Sequence, residues 1–162
     1  MCPYYEIKAE YRTIILDNEV KVLYGKKRPI VIGDDKSTKK ELLLKFNENY
    51  FKKQNLDNSY NEILPKNTEF IYNWQFNLSQ GANIFLVKNE KISTKIENLA
   101  LTISKKLGIR FCSIDIIETV DNNFLIMEAN SGVMMDNFIE LYPSGYDIAF
   151  KIYEEAVLKM FE

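Results

Sequence analysis

Apolar and polar residues alternate along "YRTIILDNEVKVLYG" on both sides of Asp17-Asn18, a dipeptide suited to a tight turn. The pattern predicts a hairpin with Leu16 paired to Glu19, and with Tyr11, Thr13 and Ile15 opposite Tyr24, Val22 and Val20. Arg12, Ile14 and Leu16 then share the other face, so a guanidinium projects where only half the residues are apolar. After "RPIVIGDD" the period becomes helical in "STKKELLLKFNENYFKK", and Thr38 and Glu41 have the capping-box spacing that satisfies orphan amides. The polar stretch "NLDNSYNEILPKN" reads as a long loop.

Further on, "TEFIYNWQFNLSQGANIFLVKNEK" reads as two strands around "NLSQGAN", followed by a helix with Thr94 and Glu97 as a second capping box. Ile96, Leu99, Ala100, Ile103 and Leu107 form that helix's apolar stripe, and Gly108 sits where a left-handed cap belongs. A second hairpin occupies "SIDIIETVDNNFLIMEANSG". A last helix from about Tyr146 is expected to bury Ile148, Ala149, Ile152, Tyr153, Ala156, Val157 and Met160. Hairpins alternating with helices predict an α+β fold, an antiparallel sheet with helices packed on it and one face covered. No internal repeat or second-domain linker interrupts residues 1–162.

At 162 residues and 46% hydrophobic content the chain can bury a real core. Its 21 basic and 23 acidic residues argue against a general nucleic-acid or membrane-surface binder, which needs a basic excess. The runs "GKKRP" and "DDKSTKK" are short and read as solvated faces. Histidine is absent, which removes Ser–His and Cys–His nucleophiles, imidazole acid–base chemistry and His-bearing zinc sites. Cys2 and Cys112 are too few for a disulfide framework. With no signal-peptide pattern and no apolar run of membrane-spanning length, the expected location is the reducing cytoplasm.

The second hairpin carries the chemistry. If Val120 pairs with Asn123, Asp115 lies opposite Glu128; slipping the turn by one residue makes Asn130 its partner. Either even register leaves Asp115, Glu128 and Asn130 on one face, whereas an odd loop with a bulge would spoil the alignment. Two ionised carboxylates about 5 Å apart repel by roughly 3 kcal/mol at an effective dielectric near 20. A divalent cation is one way to offset that, and carboxylate and amide oxygens suit Mg²⁺. The other is an exposed hairpin whose carboxylates splay into water or pair with lysines, the commoner outcome for so short a motif.

The segment "SIDII…FLIMEAN" resembles the metal-binding strands of the ATP-grasp superfamily, and three further stretches match in order. "EYRTIILDNEVKVLYGKKRP" resembles the strand pair opening the second ATP-grasp subdomain. "IGDDKST" is similar to the I-G-D-G-K-S-T stretch of cyanophycin synthetases, and "NLSQGAN" to the N-L-S-x-G-G loop of those enzymes and of RimK-type glutamate ligases. The resemblance implies the C-terminal ATP-grasp subdomain over residues 1–162. The first subdomain and the domain preceding it would be absent, since the chain begins near the hinge at "MCPYYEI". It implies ATP with two Mg²⁺ ions in a complete enzyme. Such an enzyme phosphorylates a carboxylate and lets an amine displace phosphate, forming an amide or peptide bond.

By the same resemblance, Asp115, Glu128 and Asn130 would bind metal, while Arg12 and Arg28 would face the phosphates and the acyl phosphate. Ile117 and Met127 would flank the nucleotide, and the backbone amides of Ser79, Gln80 and Gly81 would cradle an anion. Asn77, Ser131 and Gly132 would touch substrate. Where the family has N-x-x-P-G the chain has "NSGVMMDNF", without the Pro, so the resemblance does not carry the acceptor pocket over. Alone, the chain is expected not to turn over ATP, and its uncovered face to form a homodimer or to take a partner chain. The alternative is a non-enzymatic remnant or partner-binding module that keeps the fold.

Overall fold

The computed structural model describes residues 4–46, 48–52 and 55–161, so Cys2 lies outside the described residues. The chain forms two compact units. One is Arg28–Asn83; the other comprises the stretch up to Lys27 together with the chain from Ile84 onward. No helix among the described residues is long and apolar enough to cross a membrane.

Among the described residues the strands in chain order are β1 (Ile7–Leu16), β2 (Glu19–Lys27), β3 (Ile30–Ile32), β4 (Glu69–Ile71), β5 (Asn83–Phe85), β6 (Phe111–Thr119) and β7 (Phe124–Asn130). Five of them make one sheet in the order β5-β2-β1-β6-β7. Asp17 and Asn18 both take positive φ (51° and 64°), the primed turn whose twist matches its strands. Leu16 pairs with Glu19 and Ile15 with Val20, as the alternation predicts. There the expected register ends. Lys21 is an extra residue, so Val22 faces Ile14 and Tyr24 faces Arg12, rather than Thr13 and Tyr11. The Lys21 ammonium bonds to Glu19 (2.6 Å) and to Glu155 (3.0 Å).

The helices of this unit are α3 (Glu90–Leu107), α4 (Asp136–Leu141) and α5 (Gly145–Leu158), numbered after two in the other unit, α1 (Lys39–Phe46) and α2 (Glu48–Phe51). On one face of the sheet Tyr11, Ile15, Cys112, Ile114 and Ile116 pack against Ile96 and Ala100 of α3. That helix starts a turn before the expected capping box, because Asn89 accepts from the amides of Lys91 and Ile92 (3.1 and 3.3 Å). Thr94 instead donates back to the Glu90 carbonyl. Gly108 closes the helix at φ 65°, as expected. On the other face Tyr24 stacks on Phe138 of α4, with ring centroids 5.5 Å apart.

Successive residues Thr13 to Leu16 are all buried, so both faces of the sheet are covered there rather than one. Along α5 only Ala149, Ile152 and Ala156 of the seven expected core residues are fully buried; Tyr153, Val157 and Met160 are exposed. The helical period holds, but two alanines let α5 sit close and narrow the buried stripe.

In the other unit, β3 pairs with β4, and Val31, Leu43, Phe51 and Leu64 form a separate core. The two strands expected around "NLSQGAN" therefore part company: β4 joins β3, and β5 joins the large sheet. Gly33 permits a close backbone crossing, since a Cβ there would lie 1.9 Å from the Pro65 carbonyl oxygen. The Thr38–Glu41 capping box forms as expected, with Thr38 N–H donating to Glu41 (2.8 Å) and Glu41 N–H to the Thr38 hydroxyl (3.2 Å).

Ahead of α1, the Asp34 carboxylate accepts from Ser37 N–H (2.6 Å), the Ser37 hydroxyl (2.8 Å) and Lys36 N–H (3.0 Å). These bonds, the Ser37 amide foremost, hold its pKa down at about 2 against an ordinary 3.8. A depressed acid stabilises the fold above its unfolded pKa, and that contribution is lost as pH falls from about 4 to about 2. Urea midpoints of wild type and Asp34→Asn should therefore differ at pH 5 and converge near pH 2. A gap independent of pH would rule out the ionised turn.

Candidate functional site

Arg12, on the central strand β1, has Tyr24 on one side and Asp115 on the other as its cross-strand partners. Residues directly opposed project to the same face, so this row lies on the α4 side of the sheet. The Arg12 guanidinium grips Asp115 with two parallel bonds, Nε to Oδ1 at 2.7 Å and NH2 to Oδ2 at 2.5 Å. The Lys26 ammonium lies 3.3 Å from the same Oδ1 and also pairs with Glu10, its neighbour across β1 and β2. Four charges thus alternate in sign: Glu10, Lys26, Asp115, Arg12. All but Arg12 are buried, with the Asp115 side chain 3% exposed.

The pairing raises the pKa of Arg12 further, chiefly through its bonds to Asp115. Desolvation pushes the Glu10 carboxyl up, opposed by Lys26. Desolvation also pushes Tyr24 up to about 12. Glu10 carries a period-two signal, because it alternates with Arg12, whereas Lys26 looks like part of a solvated basic run.

The acidic hairpin reaches its expected alignment by an unexpected route. Its loop, Val120-Asp121-Asn122, is odd in length, with Thr119 N–H donating to the Asn123 carbonyl and Asn122 at φ 61°. Near the turn Glu118 faces Phe124 and Ile116 faces Ile126. A bulge at Met127 then adds one residue, so Asp115 faces Glu128 and Ser113 faces Asn130. The odd loop and the bulge cancel, and Asp115, Glu128 and Asn130 share one face after all.

Their surroundings differ. Both Asp115 oxygens are held by cations, so its charge is offset within the protein. Glu128 is exposed, and its Oε1 accepts from the Asn130 amide nitrogen at 2.6 Å. Among the described residues neither Glu128 Oε2 nor Asn130 Oδ1 has a partner. Among those residues, too, no three His, Cys, Asp or Glu side chains gather as a metal cluster; the third donor of the triad is an amide.

Ile117 is buried on the Asp115 side of β6, Met127 is half exposed at the bulge, and Ser131 and Gly132 are exposed just after β7. A Cβ on Gly132 would meet nothing within 4 Å, so no close approach requires glycine there.

The remaining candidates, Arg28, Asn77, Ser79, Gln80 and Gly81, belong to the Arg28–Asn83 unit. The Arg28 guanidinium lies over the Phe76 ring, 5.0 Å from its centroid. In "NLSQGAN" the Asn77 side chain accepts from the Ser79 amide (3.0 Å), the Asn77 carbonyl from the Gln80 amide (3.0 Å), and the Leu78 carbonyl from the Gly81 amide (3.1 Å). All three amides expected to cradle an anion are thus engaged inside the turn.

An antiparallel α+β sheet whose central arginine meets an acidic hairpin defines the class, and the sequence supplies the family. Residues 66–156 match the RimK-like ATP-grasp domain, more than half of the chain, and the chain belongs to that family. The fold is similar to that of a bifunctional glutathione synthetase from Pasteurella multocida (TM-score 0.59, 18% identity), over 93% of this chain and 24% of that one. Weaker likeness links it to the macrocyclase MdnC bound with precursor peptide MdnA from Microcystis aeruginosa (TM-score 0.47, 20% identity, 94% of this chain and 34% of that one). A Chryseobacterium gregarium RiPP-associated ATP-grasp ligase in complex with ADP and a leader and core peptide gives TM-score 0.44 at 13% identity, over 89% of this chain and 32% of that one. The chain thus spans between about a quarter and a third of these solved structures. No curated protein matches it in sequence.

Proposed function

We propose that this chain is the C-terminal ATP-grasp subdomain of a carboxylate–amine ligase. The observation that carries this reading is the common face of Arg12, Asp115, Glu128 and Asn130, where one guanidinium stands beside hard-oxygen donors. The donor set fits Mg²⁺ in kind: Glu128 Oε2 and Asn130 Oδ1 are uncommitted hard oxygens two residues apart on one strand. Glu128 and Asn130 would hold the ion, and Asp115 would join them once Arg12 turns to a phosphate. A bound Mg²⁺ would supply positive charge that offsets phosphate charge during phosphoryl transfer to a carboxylate.

The chain's own residues supply the rest. Asp115 keeps the Arg12 guanidinium on this face until an anion takes its place. Lys26 pairs with both Asp115 and Glu10 inside the sheet. Without histidine or an activated nucleophile, catalysis would rest on positioning and electrostatics. The amine would attack an acyl phosphate and release phosphate.

Calorimetry tests the metal site without requiring turnover. Mg²⁺ should bind weakly to the chain alone and more tightly with nucleotide present, because phosphates supply missing ligands. Glu128→Gln should lower the affinity about tenfold or more. Equal affinity in both proteins would remove Glu128 from the site.

A further inference from the structure

Helix α5 carries a second apolar stripe beside the one it buries. Tyr146, Phe150, Tyr153 and Val157 are between 37% and 65% exposed. At 3.6 residues per turn they lie within about 60° of one another, and the buried Ala149, Ile152 and Ala156 bound them on the core side. The rings are already held. Tyr146 stacks on Phe150 with centroids 6.4 Å apart, and Tyr153 meets Phe111 edge to face at 6.0 Å. The Tyr153 hydroxyl also donates to the Val133 carbonyl (2.8 Å). Side chains fixed in advance lose little freedom when a partner covers them.

The spacing of the stripe suits a copy of itself. Its steps are four, three and four residues, those of a coiled-coil seam, and they read the same from either end. Two α5 helices running antiparallel about a two-fold axis set Phe150 against Tyr153 and Tyr146 against Val157. Every stripe residue then has a counterpart, as an interface between identical copies requires. An unrelated partner needs no such symmetry.

The charges next to the stripe fit the same arrangement. Asp147, Lys151 and Glu154 are exposed on its outer flank. Among the described residues neither Lys151 nor Glu154 takes part in an ion pair, whereas Glu155 pairs with Lys21 and Lys159. An antiparallel two-fold brings like flanks together. Along the axis, Glu154 of the second copy then falls about midway between Asp147 and Lys151, roughly 3 Å from the level of each. The Lys151 ammonium thus sits among carboxylates of both copies, and symmetry repeats the contact. In a parallel pair each charged flank faces the other copy's core side instead.

We propose that two copies of this chain pair antiparallel through α5, with Phe150 and Tyr153 at the centre and Lys151 bridging to Glu154 of the second copy. The stripe and its flank offer about 500 Å² per copy, so the pair buries about 1,000 Å², the threshold of a specific interface. The dimer is therefore weak, with a Kd of about 10–100 µM. The surface is independent of the ligase reading, since none of its residues belongs to the charged row and its test uses no nucleotide.

Sedimentation of the full chain from about 1 to about 500 µM should show a monomer–dimer equilibrium in that range. Phe150→Asp, at a position more than half exposed, should keep the wild-type circular dichroism and weaken the dimer at least about tenfold. Lys151→Glu leaves only carboxylates on the flank and should weaken it by a similar factor; adding Glu154→Lys should restore it. These two charge changes touch no buried side chain, so their outcome stands whether or not Phe150→Asp folds. A monomer at every concentration would overturn the dimer. A dimer that survives Phe150→Asp in a folded protein would move it off α5. Indifference to Lys151→Glu, or no recovery in the double variant, would overturn the antiparallel arrangement.

Discussion

Asp115→Asn is expected to destabilise the protein by about 3–5 kcal/mol in metal-free buffer, measured by urea unfolding. From sequence alone the sign would be the opposite, because removing one of two facing carboxylates relieves repulsion. The structure reverses it. Arg12 holds both Asp115 oxygens, Lys26 approaches one of them, and the side chain is 3% exposed. An amide would turn its NH₂ group toward guanidinium or ammonium, leaving Arg12 without its counter-charge and buried Lys26 with Glu10 alone. Repulsion from exposed Glu128, with water to screen it, is the smaller effect. The double variant Arg12→Met with Asp115→Asn should lose less than the two single losses combined, since each single change strands the other's charge. A loss under about 1 kcal/mol for Asp115→Asn would show that the pair is not holding the sheet together.

Local rules worked where local chemistry decides. Asp17-Asn18 and Gly108 take the positive φ their residue types favour, and the Thr38–Glu41 box forms. The face shared by Arg12, Asp115, Glu128 and Asn130 was legible because period two is a strong constraint. What stayed hidden were the bulges. Nothing in the alternation marks Lys21 as extra, since its ammonium satisfies Glu155 on a helix more than a hundred residues away. At Met127 the bulge compensates an odd loop, so the right alignment followed from wrong steps.

The protein cations beside Asp115 are Arg12 and Lys26, and they are out of reach of a reading confined to one hairpin, because strand neighbours across β1 cannot be read from it. Only the pairing of β1 with β6 puts Arg12 opposite Asp115. Likewise, the "NLSQGAN" loop gave its turn but not the use of its amides. Asn77 and the turn's own carbonyls consume them, an economy visible only once the chain is folded.

Phe138→Ala is expected to cost about 3–5 kcal/mol, the range for truncating a buried aromatic. Phe138 is 1% exposed, stacked on Tyr24 with centroids 5.5 Å apart and in tilted contact with Tyr142 at 4.6 Å. Its loss should also be felt at the charged row. Tyr24 is Arg12's cross-strand neighbour, and desolvation holds its phenol up at about 12 against an ordinary 10. Without the Phe138 ring, water reaches that phenol and its pKa should fall toward the ordinary value. The Arg12–Asp115 pair beside it would then work in a higher dielectric, holding the guanidinium less firmly. Residue-resolved NMR titration is needed, because the chain has ten tyrosines. Phe138→Leu should keep the cover and cost less, about 1–2 kcal/mol, with Tyr24 still raised. If Phe138→Ala unfolds more easily yet leaves the Tyr24 titration unchanged, α4 braces the fold without shielding the site, and some other element keeps the charged row dry.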